Sequence, residues 1–214
     1  MRDQACRLYL ITPAQIDDAG SFCAELENLL VAGQGTAAEI ACLQLRLKNV
    51  PDETVLAMAR AILPVAHKYD CAFLINDRPD LAKSAGADGA HIGQSDMAYA
   101  RARDMLGPEA SIGVTCHASR HLAMQAGEAG ADYVAFGAFY PTTTKEVSHQ
   151  AEPEILTAWS QMTTVPCVAI GGITPENARP LVAAGADFLA VSGTIWHHPG
   201  GPAVAMEAFA AVLD

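Results

Sequence analysis

Short apolar runs rich in β-branched residues recur along the chain and alternate with longer segments of helical character. Runs of this length, bounded by glycine, proline or polar residues, are typical of buried strands. We predict eight strands, at residues 7–12, 41–47, 72–76, 89–93, 111–115, 133–138, 167–171 and 188–192. The clearest helices between them are predicted at residues 52–69, 119–130 and 175–184. Ser119 and Thr174 are suited to cap two of these helices, and Pro175 suits a first helical position.

One tetrapeptide marks three of the passages from helix to strand. Ala-Gly-Ala-Asp occurs at residues 85–88, 129–132 and 184–187, each time after a helix-like segment and before a short apolar run. Glycine suits the left-handed residue that commonly ends a helix. The reuse of one helix-to-strand connection indicates alternating helices and strands, and therefore parallel strand pairing.

Eight alternating units predict a closed (β/α)8 barrel of the TIM type, an α/β fold with parallel strands. The 214 residues lie near the lower end of that fold's range, and no linker-like segment divides them, so residues 1–214 are expected to form one domain. The alternative is an open doubly wound sheet. That fold more often carries a G-x-G-x-x-G turn after its first strand, whereas this strand ends Leu10-Ile11-Thr12-Pro13.

Composition and charge narrow the classes of function. Hydrophobic residues make up 51% of the chain, but no run of eighteen or more is apolar, so no membrane span is expected. The first residues lack the pattern of a secretory signal, which predicts a cytoplasmic protein. The formal charge is −11 without a basic stripe, which argues against nucleic-acid binding. An anionic ligand would need local cations, backbone N–H groups or a metal ion.

The six cysteines include no Cys-x-x-Cys pair. Cys42, Cys71, Cys116 and Cys167 lie in apolar, strand-like runs. Buried thiols behave as small hydrophobic side chains, so we expect free structural cysteines rather than disulfides.

The second predicted strand carries polar residues where a β/α barrel has its chemistry, near the carboxyl end. Leucines alternate there with Gln44, Arg46 and Lys48. Because side chains on a strand alternate between faces, the three polar side chains share one side. The leucines suit the face that packs against helices, so the polar side chains are predicted to point into the barrel, toward its mouth. An edge strand with one solvated face is the alternative, which closure of the barrel disfavours.

Carboxylates follow the third and fourth predicted strands. Asn76 and Asp77 end one, and Asp96 follows the other. Asn76 and Asp77 would also fit as cap and turn residues of the next helix. Two carboxylates brought together repel each other unless they are protonated or bridged, and Mg²⁺ is a natural bridge. A magnesium site at Asp77 and Asp96 is therefore predicted, and it would let an acidic protein hold a diphosphate.

The fifth and sixth predicted strands lead into hydroxyl groups. Thr115 could bond a substrate at the barrel mouth, whereas His117 and His91 are expected to be supporting residues. The loop after the sixth strand places three hydroxyl groups beside a lysine, which is a suitable set of phosphate ligands. These residues are Thr142, Thr143, Thr144 and Lys145.

Small residues follow the last two predicted strands. Gly171 and Gly172 come after the seventh, and Val191 and Ser192 end the eighth. Small residues here allow backbone N–H groups to approach a phosphate, as in the usual anion pocket of these barrels. The chain is therefore predicted to bind small phosphate-bearing substrates.

Five motifs, in this order, resemble thiamine phosphate synthase. They are Gln44-Leu45-Arg46-Leu47-Lys48, Asn76-Asp77-Arg78, His91-Ile92-Gly93-Gln94-Ser95-Asp96, Pro141-Thr142-Thr143-Thr144-Lys145 and Ile170-Gly171-Gly172-Ile173. The resemblance covers nearly the whole chain, from Leu8 to Trp196. Five ordered motifs are far more specific than any one of them.

The resemblance implies a transferase that joins hydroxymethylpyrimidine diphosphate to hydroxyethylthiazole phosphate, forming thiamine phosphate and pyrophosphate. It implies Mg²⁺ bound by Asp77 and Asp96, and catalytic roles for Lys48, Thr115 and Lys145. By similarity, the pyrimidine diphosphate would be held by residues 44–48, Asn76, Thr115 and Lys145. The thiazole phosphate would be held by residues 142–144, Gly171, Val191 and Ser192.

The chain departs from the family pattern at several positions. Leu47 stands where the family often has an acidic residue, but it is expected to face the helices. Thr115 stands where serine is common, so the hydroxyl is kept and a methyl group is added. Residues 146–150 differ from the family's usual sequence after the lysine and bear on substrate choice.

Other functions remain open. A related thiazole tautomerase has a histidine near the end of the sixth strand, where this chain has Gly137-Ala138-Phe139, and an altered Thr/Lys loop, whereas this chain retains Lys145. Another barrel acting on a sugar phosphate would not need paired Asp77 and Asp96. A non-catalytic relative that only binds a thiamine precursor is the alternative from a different class. The sequence is also compatible with a homo-oligomer.

Overall fold

The computed structural model of the chain describes residues 5–142 and 150–213. The strands are Arg7–Ile11 (β1), Ile40–Leu45 (β2), Ala72–Asn76 (β3), Gly89–Ile92 (β4), Ser111–His117 (β5), Tyr133–Gly137 (β6), Cys167–Ile170 (β7) and Phe188–Val191 (β8). The helices are Ala19–Gly33 (α1), Asp52–His67 (α2), Pro79–Ala85 (α3), Tyr99–Leu106 (α4), Arg120–Glu128 (α5), Glu154–Met162 (α6), Pro175–Ala183 (α7), Gly193–Trp196 (α8) and Pro202–Leu213 (α9).

The strands form a closed barrel in sequence order, with β1 paired to both β2 and β8. All eight pairings are parallel, which confirms the predicted (β/α)8 fold. The predicted ends of the strands were less accurate than the fold. Most strands end one or two residues before the predicted position, whereas β5 continues to His117. At the end of β2, the N–H of Arg46 binds the side-chain oxygen of Thr12 at 2.9 Å, so the backbone leaves the strand ladder there.

The core has two layers, separated by the wall of the barrel. Leu8, Leu10, Leu43 and Leu45 belong to the larger cluster, which includes the buried faces of the helices. Tyr9, Ile11 and Cys42 alternate with them and belong to a smaller cluster inside the barrel. The predicted alternation of β2 is thus confirmed, with leucines outward and Gln44 buried inside.

The Ala-Gly-Ala-Asp repeats lie at helix-to-strand connections, as predicted, and their glycines all have positive φ angles: Gly86 70°, Gly130 98° and Gly185 99°. The aspartates have a role that the repeat alone did not reveal. Each carboxylate accepts the backbone N–H of a residue at the start of another strand, at 2.7 Å. The pairs are Asp88 with Phe73, Asp132 with Ile112 and Asp187 with Cys167. The repeat therefore ties together the strand beginnings, at the end of the barrel opposite its mouth.

The predicted helix caps are also present. The Ser119 hydroxyl accepts the N–H of Leu122 at 3.2 Å, and the side chain of Asn177 accepts the N–H of Thr174 at 2.8 Å. All six cysteines lie in the described part of the chain and are free. Burial raises the pKa of the Cys116 thiol to about 12, so this thiol is inert. Among the described helices, none combines the length and apolar character that crossing a bilayer requires.

Candidate active site

A cavity of about 660 Å³ opens at the carboxyl ends of the strands, and every strand contributes to its wall. Many of the predicted substrate-binding residues line it. They are Gln44, Arg46, Asn76, Thr115, Thr142, Gly171, Gly172, Val191 and Ser192. The predicted metal ligand Asp77 lies on the same wall. Residues from widely separated segments are thus brought together at one end of the barrel.

Three predicted residues fall outside the described part of the chain: Thr143, Thr144 and Lys145. Lys48 does not join the described wall of the cavity, and its side chain is exposed. It was predicted to continue the inward face of β2, but the strand ends at Leu45, three residues earlier. The backbone N–H of Lys48 instead binds the carbonyl oxygen of Ala14 at 3.0 Å, so strand alternation no longer governs its direction.

Arg46 and Asp77 are electrostatic neighbours in the cavity wall. Burial lowers the pKa of the Arg46 guanidinium, and the carboxylate of Asp77 acts in the opposite direction. An arginine remains charged under these conditions, because its ordinary pKa is far above neutrality. The wall therefore carries one half-buried positive charge with an adjacent negative charge, an arrangement suited to a phosphate that brings a metal ion with it.

Asp77 occupies a left-handed backbone conformation, with φ 61°, immediately after β3. Aspartate and asparagine adopt this region more readily than most other residues. The N–H of Asp77 binds the carbonyl oxygen of His91 on the neighbouring β4 at 2.7 Å. This bond fixes the turn that brings the residue to the cavity.

Asp96 lies one strand farther along and is not among the described residues that line the cavity. Its Oδ2 accepts the N–H of Gly93 at 2.7 Å, and Gly93 itself lines the cavity. A Cβ at position 93 would lie 2.9 Å from the same oxygen, so glycine is needed for this close contact. Because Asn76 pairs with His91 in the β3–β4 register, Asp77 and Asp96 follow adjacent strand ends.

The described residues contain no group of three or more His, Cys, Asp or Glu side chains that could hold a metal ion by themselves. Two carboxylates nevertheless fit Mg²⁺, which commonly binds one or two carboxylates together with water and substrate phosphates. Asp77 and Asp96 are oxygen donors of this kind. The arrangement suits a metal ion that binds together with a phosphorylated substrate.

The glycine pair after β7 has a packing reason for being glycine. Gly171 and Gly172 have φ angles of 108° and 61°, both in the region that favours glycine. A Cβ on Gly171 would lie 2.4 Å from the Cβ of Ala138, and one on Gly172 would lie 2.3 Å from the carbonyl oxygen of Pro141. The loops after β6 and β7 therefore need these glycines to pack together, whether or not a phosphate is bound.

Sequence reasoning missed two residues deep in the cavity and gave a third, His91, only a supporting role. Tyr9 and Tyr133 are buried and bond each other at 2.8 Å between their hydroxyl oxygens, and His91, which was expected only to support the fold, contacts Tyr133. All three line the cavity. The available signal was Gly113, whose missing side chain makes room for the Tyr133 ring, since a Cβ there would lie 1.9 Å from the ring.

The structure also shows the surroundings of His117 and Arg78. His117 was expected to be a supporting residue, yet it lines the cavity and has a φ angle of 51° at the end of β5. Arg78, in the motif that contains Asp77, is not among the described residues that line the cavity. It makes ion pairs of 2.7 Å with both Asp52 and Asp80, which join the start of α2 to the start of α3.

Comparison with known proteins identifies the family. Residues 8–195 match the family described as thiamine monophosphate synthase. The thiamine-phosphate synthase of Rhodospirillum centenum is 56% identical over 208 residues, covering 97% of this chain and 98% of that protein. The corresponding protein of Hyphomonas neptunium is 52% identical over 212 residues, covering 97% of this chain and 94% of that protein.

The fold comparison agrees. The solved structure of thiamine phosphate pyrophosphorylase from Pyrococcus furiosus has a TM-score of 0.80 and 28% sequence identity to this chain, covering 97% of this chain and 95% of the other. Family, full-length relatives and fold all point the same way, and they confirm the resemblance drawn from the five motifs. The chain belongs to the thiamine monophosphate synthase family and is an enzyme of this type.

Proposed function

We propose that this barrel joins hydroxymethylpyrimidine diphosphate to hydroxyethylthiazole phosphate, giving thiamine phosphate and pyrophosphate. The bond between the pyrimidine's methylene carbon and the diphosphate oxygen breaks, and the thiazole nitrogen forms a new bond to that carbon. A pyrimidine carbocation separates the two events, as the family resemblance implies. The observation that carries this proposal is the cavity wall, which combines Arg46 after β2, Asp77 after β3 and Thr115 on β5.

The residues suit a reaction in which negative charge accumulates on a leaving diphosphate. Arg46 and, by family resemblance, Lys48 and Lys145 would attract that charge more strongly in the transition state than in the bound substrate. No nucleophilic side chain or general base is required, since binding and orientation of two substrates do most of the work. Lys48 follows the end of β2 and would act from a loop position.

Asp77 and Asp96 are proposed to hold Mg²⁺. When bound, the ion would neutralise charge on the diphosphate. The chain's own contribution is to fix two carboxylates at adjacent strand ends, through the Asp77 N–H bond to His91 and the Asp96 contact with Gly93. In a chain with a formal charge of −11, such an ion would also reduce the repulsion felt by a diphosphate.

The thiazole phosphate is proposed to bind on the opposite side of the cavity. Gly171, Gly172, Val191 and Ser192 line it there, with Thr142 nearby in the wall. Backbone N–H groups and hydroxyls are suitable ligands for a phosphate. Thr143 and Thr144 are assigned to the same site by resemblance alone.

The proposed function is tested by supplying both substrates with Mg²⁺ and following both products. Thiamine phosphate and pyrophosphate should form in equal amounts, and EDTA should stop the reaction until Mg²⁺ is restored. Binding of substrates without product would favour a non-catalytic relative, and isomerised thiazole would favour the tautomerase. Undiminished turnover in EDTA would show that no metal ion is needed.

We also propose a cytoplasmic location and a single domain over residues 1–214.

A further inference from the structure

A chain of hydrogen bonds between side chains crosses the floor of the cavity. Gln44 Nε2 lies 3.2 Å from Tyr9 Oη, which lies 2.8 Å from Tyr133 Oη. Tyr133 Oη lies 2.9 Å from His91 Nδ1, and His91 Nε2 lies 2.7 Å from Thr115 Oγ1. The chain therefore links β2, β1, β6, β4 and β5, and Thr115 at its end lines the cavity.

The hydrogens available to these groups favour one direction for the chain. Gln44 Nε2 carries only hydrogens, so Tyr9 accepts this bond and has its own hydrogen to donate to Tyr133. Tyr133 then donates to His91 Nδ1, which must lack a hydrogen. The hydrogen of His91 lies on Nε2 and is donated to Thr115, whose own hydroxyl hydrogen is left to point elsewhere.

The opposite direction leaves a buried group poorly satisfied. If Thr115 donated to His91 and His91 to Tyr133, then Tyr9 would accept two hydrogen bonds. In the part of the chain that the structure describes, the sulfur of Cys42 would be left to accept its hydrogen, and thiol sulfur is a weak acceptor. A buried hydroxyl without a good acceptor is unfavourable, so the first direction is preferred.

The surroundings hold the members of the chain in place. Burial raises the pKa of both Tyr9 and Tyr133 well above the ordinary value, so both phenols keep their hydrogens. The rings of His91 and Tyr133 are stacked with centroids 5.6 Å apart, and Gly113 provides the space that the Tyr133 ring fills. The backbone oxygen of Thr115 also accepts a bond from Gln94 Nε2 at 2.6 Å.

We propose that Tyr133 and His91 are positioning residues that turn the Thr115 hydroxyl hydrogen into the cavity. Within residues 5–142 and 150–213, Thr115 Oγ1 has no other hydrogen-bond partner besides His91. Its hydrogen therefore points at whatever the cavity binds. This role rests on the proposed function, in which the acceptor is an oxygen of the leaving diphosphate. A donor oriented in advance stabilises the charge on that oxygen more in the transition state than in the ground state.

The inference predicts a specific state of His91 that can be measured without any substrate. In the wild-type protein, nitrogen NMR of the His91 ring should show an unprotonated Nδ1 and a protonated Nε2. In Tyr133→Phe the donor to Nδ1 is missing, so the preference for this tautomer should weaken. A protonated Nδ1 with an unprotonated Nε2 in the wild type would overturn the assignment, and this result requires no variant to fold.

Kinetics test the consequence for catalysis. Tyr133→Phe should lower kcat by about tenfold, the effect of one lost hydrogen bond, with a much smaller change in KM. Tyr69→Phe is the matched control, because it also removes a single tyrosine hydroxyl, one that bonds Glu27 at 2.9 Å on the outer surface. The control should retain wild-type kcat. Equal kcat in Tyr133→Phe and the wild type would overturn the positioning role.

The two proposals fail in different ways. If the wild-type protein makes no thiamine phosphate, the proposed function fails, while the NMR state of His91 still tests the direction of the chain. If the wild type is active and His91 has the opposite tautomer, the positioning role fails and the proposed function stands.

Discussion

At the residue scale, Arg46 illustrates how the cavity is built. Its backbone is tied to Thr12, just after β1, while its side chain is half-buried beside Asp77 on the neighbouring loop. A buried guanidinium without a carboxylate nearby would be unfavourable. Asp77 therefore has two roles: it is a proposed ligand of the metal ion, and it balances the charge of Arg46 in the cavity wall.

Substitution of either predicted metal ligand tests this site. Asp77→Asn and Asp96→Asn keep the size of the side chain but remove its charge, so turnover at saturating Mg²⁺ should fall by about a hundredfold or more. Asp77→Asn should keep the fold but melt at a somewhat lower temperature, because the half-buried Arg46 loses its neighbouring carboxylate. The control is Asp104→Asn on α4, an exposed aspartate away from the cavity, which should keep full activity. Wild-type rates in both site variants would remove the carboxylate pair from the mechanism.

The aspartate of the repeated tetrapeptide makes a separate prediction about stability. Asp132 accepts the N–H of Ile112 at 2.7 Å and pairs with Arg103. Asp132→Ala should lower the free energy of unfolding by about 2 kcal/mol, as expected for a charged hydrogen bond. Asp132→Asn keeps an oxygen for Ile112 and should lose less. Denaturant unfolding measures both, and equal losses would show that the bond to Ile112 contributes nothing.

At the scale of the elements, the sequence predicted some contacts well and others not at all. The alternation of leucines with Gln44 in β2 identified the two faces of that strand, because side-chain direction follows from position alone. The predicted length of this strand was wrong, so its alternation does not extend to Lys48. The strand stops where Arg46 bonds to Thr12, a partner more than thirty positions away in the sequence. The Tyr9–Tyr133 contact was missed for a similar reason, because it depends on which strands face each other across a closed barrel.

The start of β4 provides a test of strand packing. A Cβ at Gly89 would lie 1.8 Å from the carbonyl oxygen of Ser111 on β5, and backbone cannot move aside as a flexible side chain can. Gly89→Ala should therefore lower the free energy of unfolding by about 3 kcal/mol or more.

The matched control for that substitution is Gly20→Ala in the first turn of α1. The nearest atom to a Cβ there is 3.5 Å away, and alanine is the better helix former, so stability should be unchanged or rise by up to about 1 kcal/mol. Urea denaturation compares the two variants. Similar stabilities for both would contradict the close approach of β4 and β5.

At the scale of the whole molecule, the fold was predictable because the sequence features that indicate it are spread along the whole chain. Eight apolar runs and a repeated helix-to-strand connection all pointed to a closed barrel, so an error of one or two residues in any strand did not matter. The cavity was less predictable, because it depends on particular side chains such as His91 and Tyr133 meeting across the barrel. The predicted strand order indicated the end of the barrel at which chemistry is expected. The contacts between side chains within the cavity came from the structure.

The most direct measurement of the central claim is a crystal structure of the protein soaked with pyrophosphate and Mg²⁺. We expect the diphosphate in the cavity at the carboxyl ends of the strands, in contact with Arg46, and the metal ion between the diphosphate and the carboxylates of Asp77 and Asp96. Pyrophosphate bound elsewhere on the molecule, or a metal ion that contacts neither aspartate, would contradict the account.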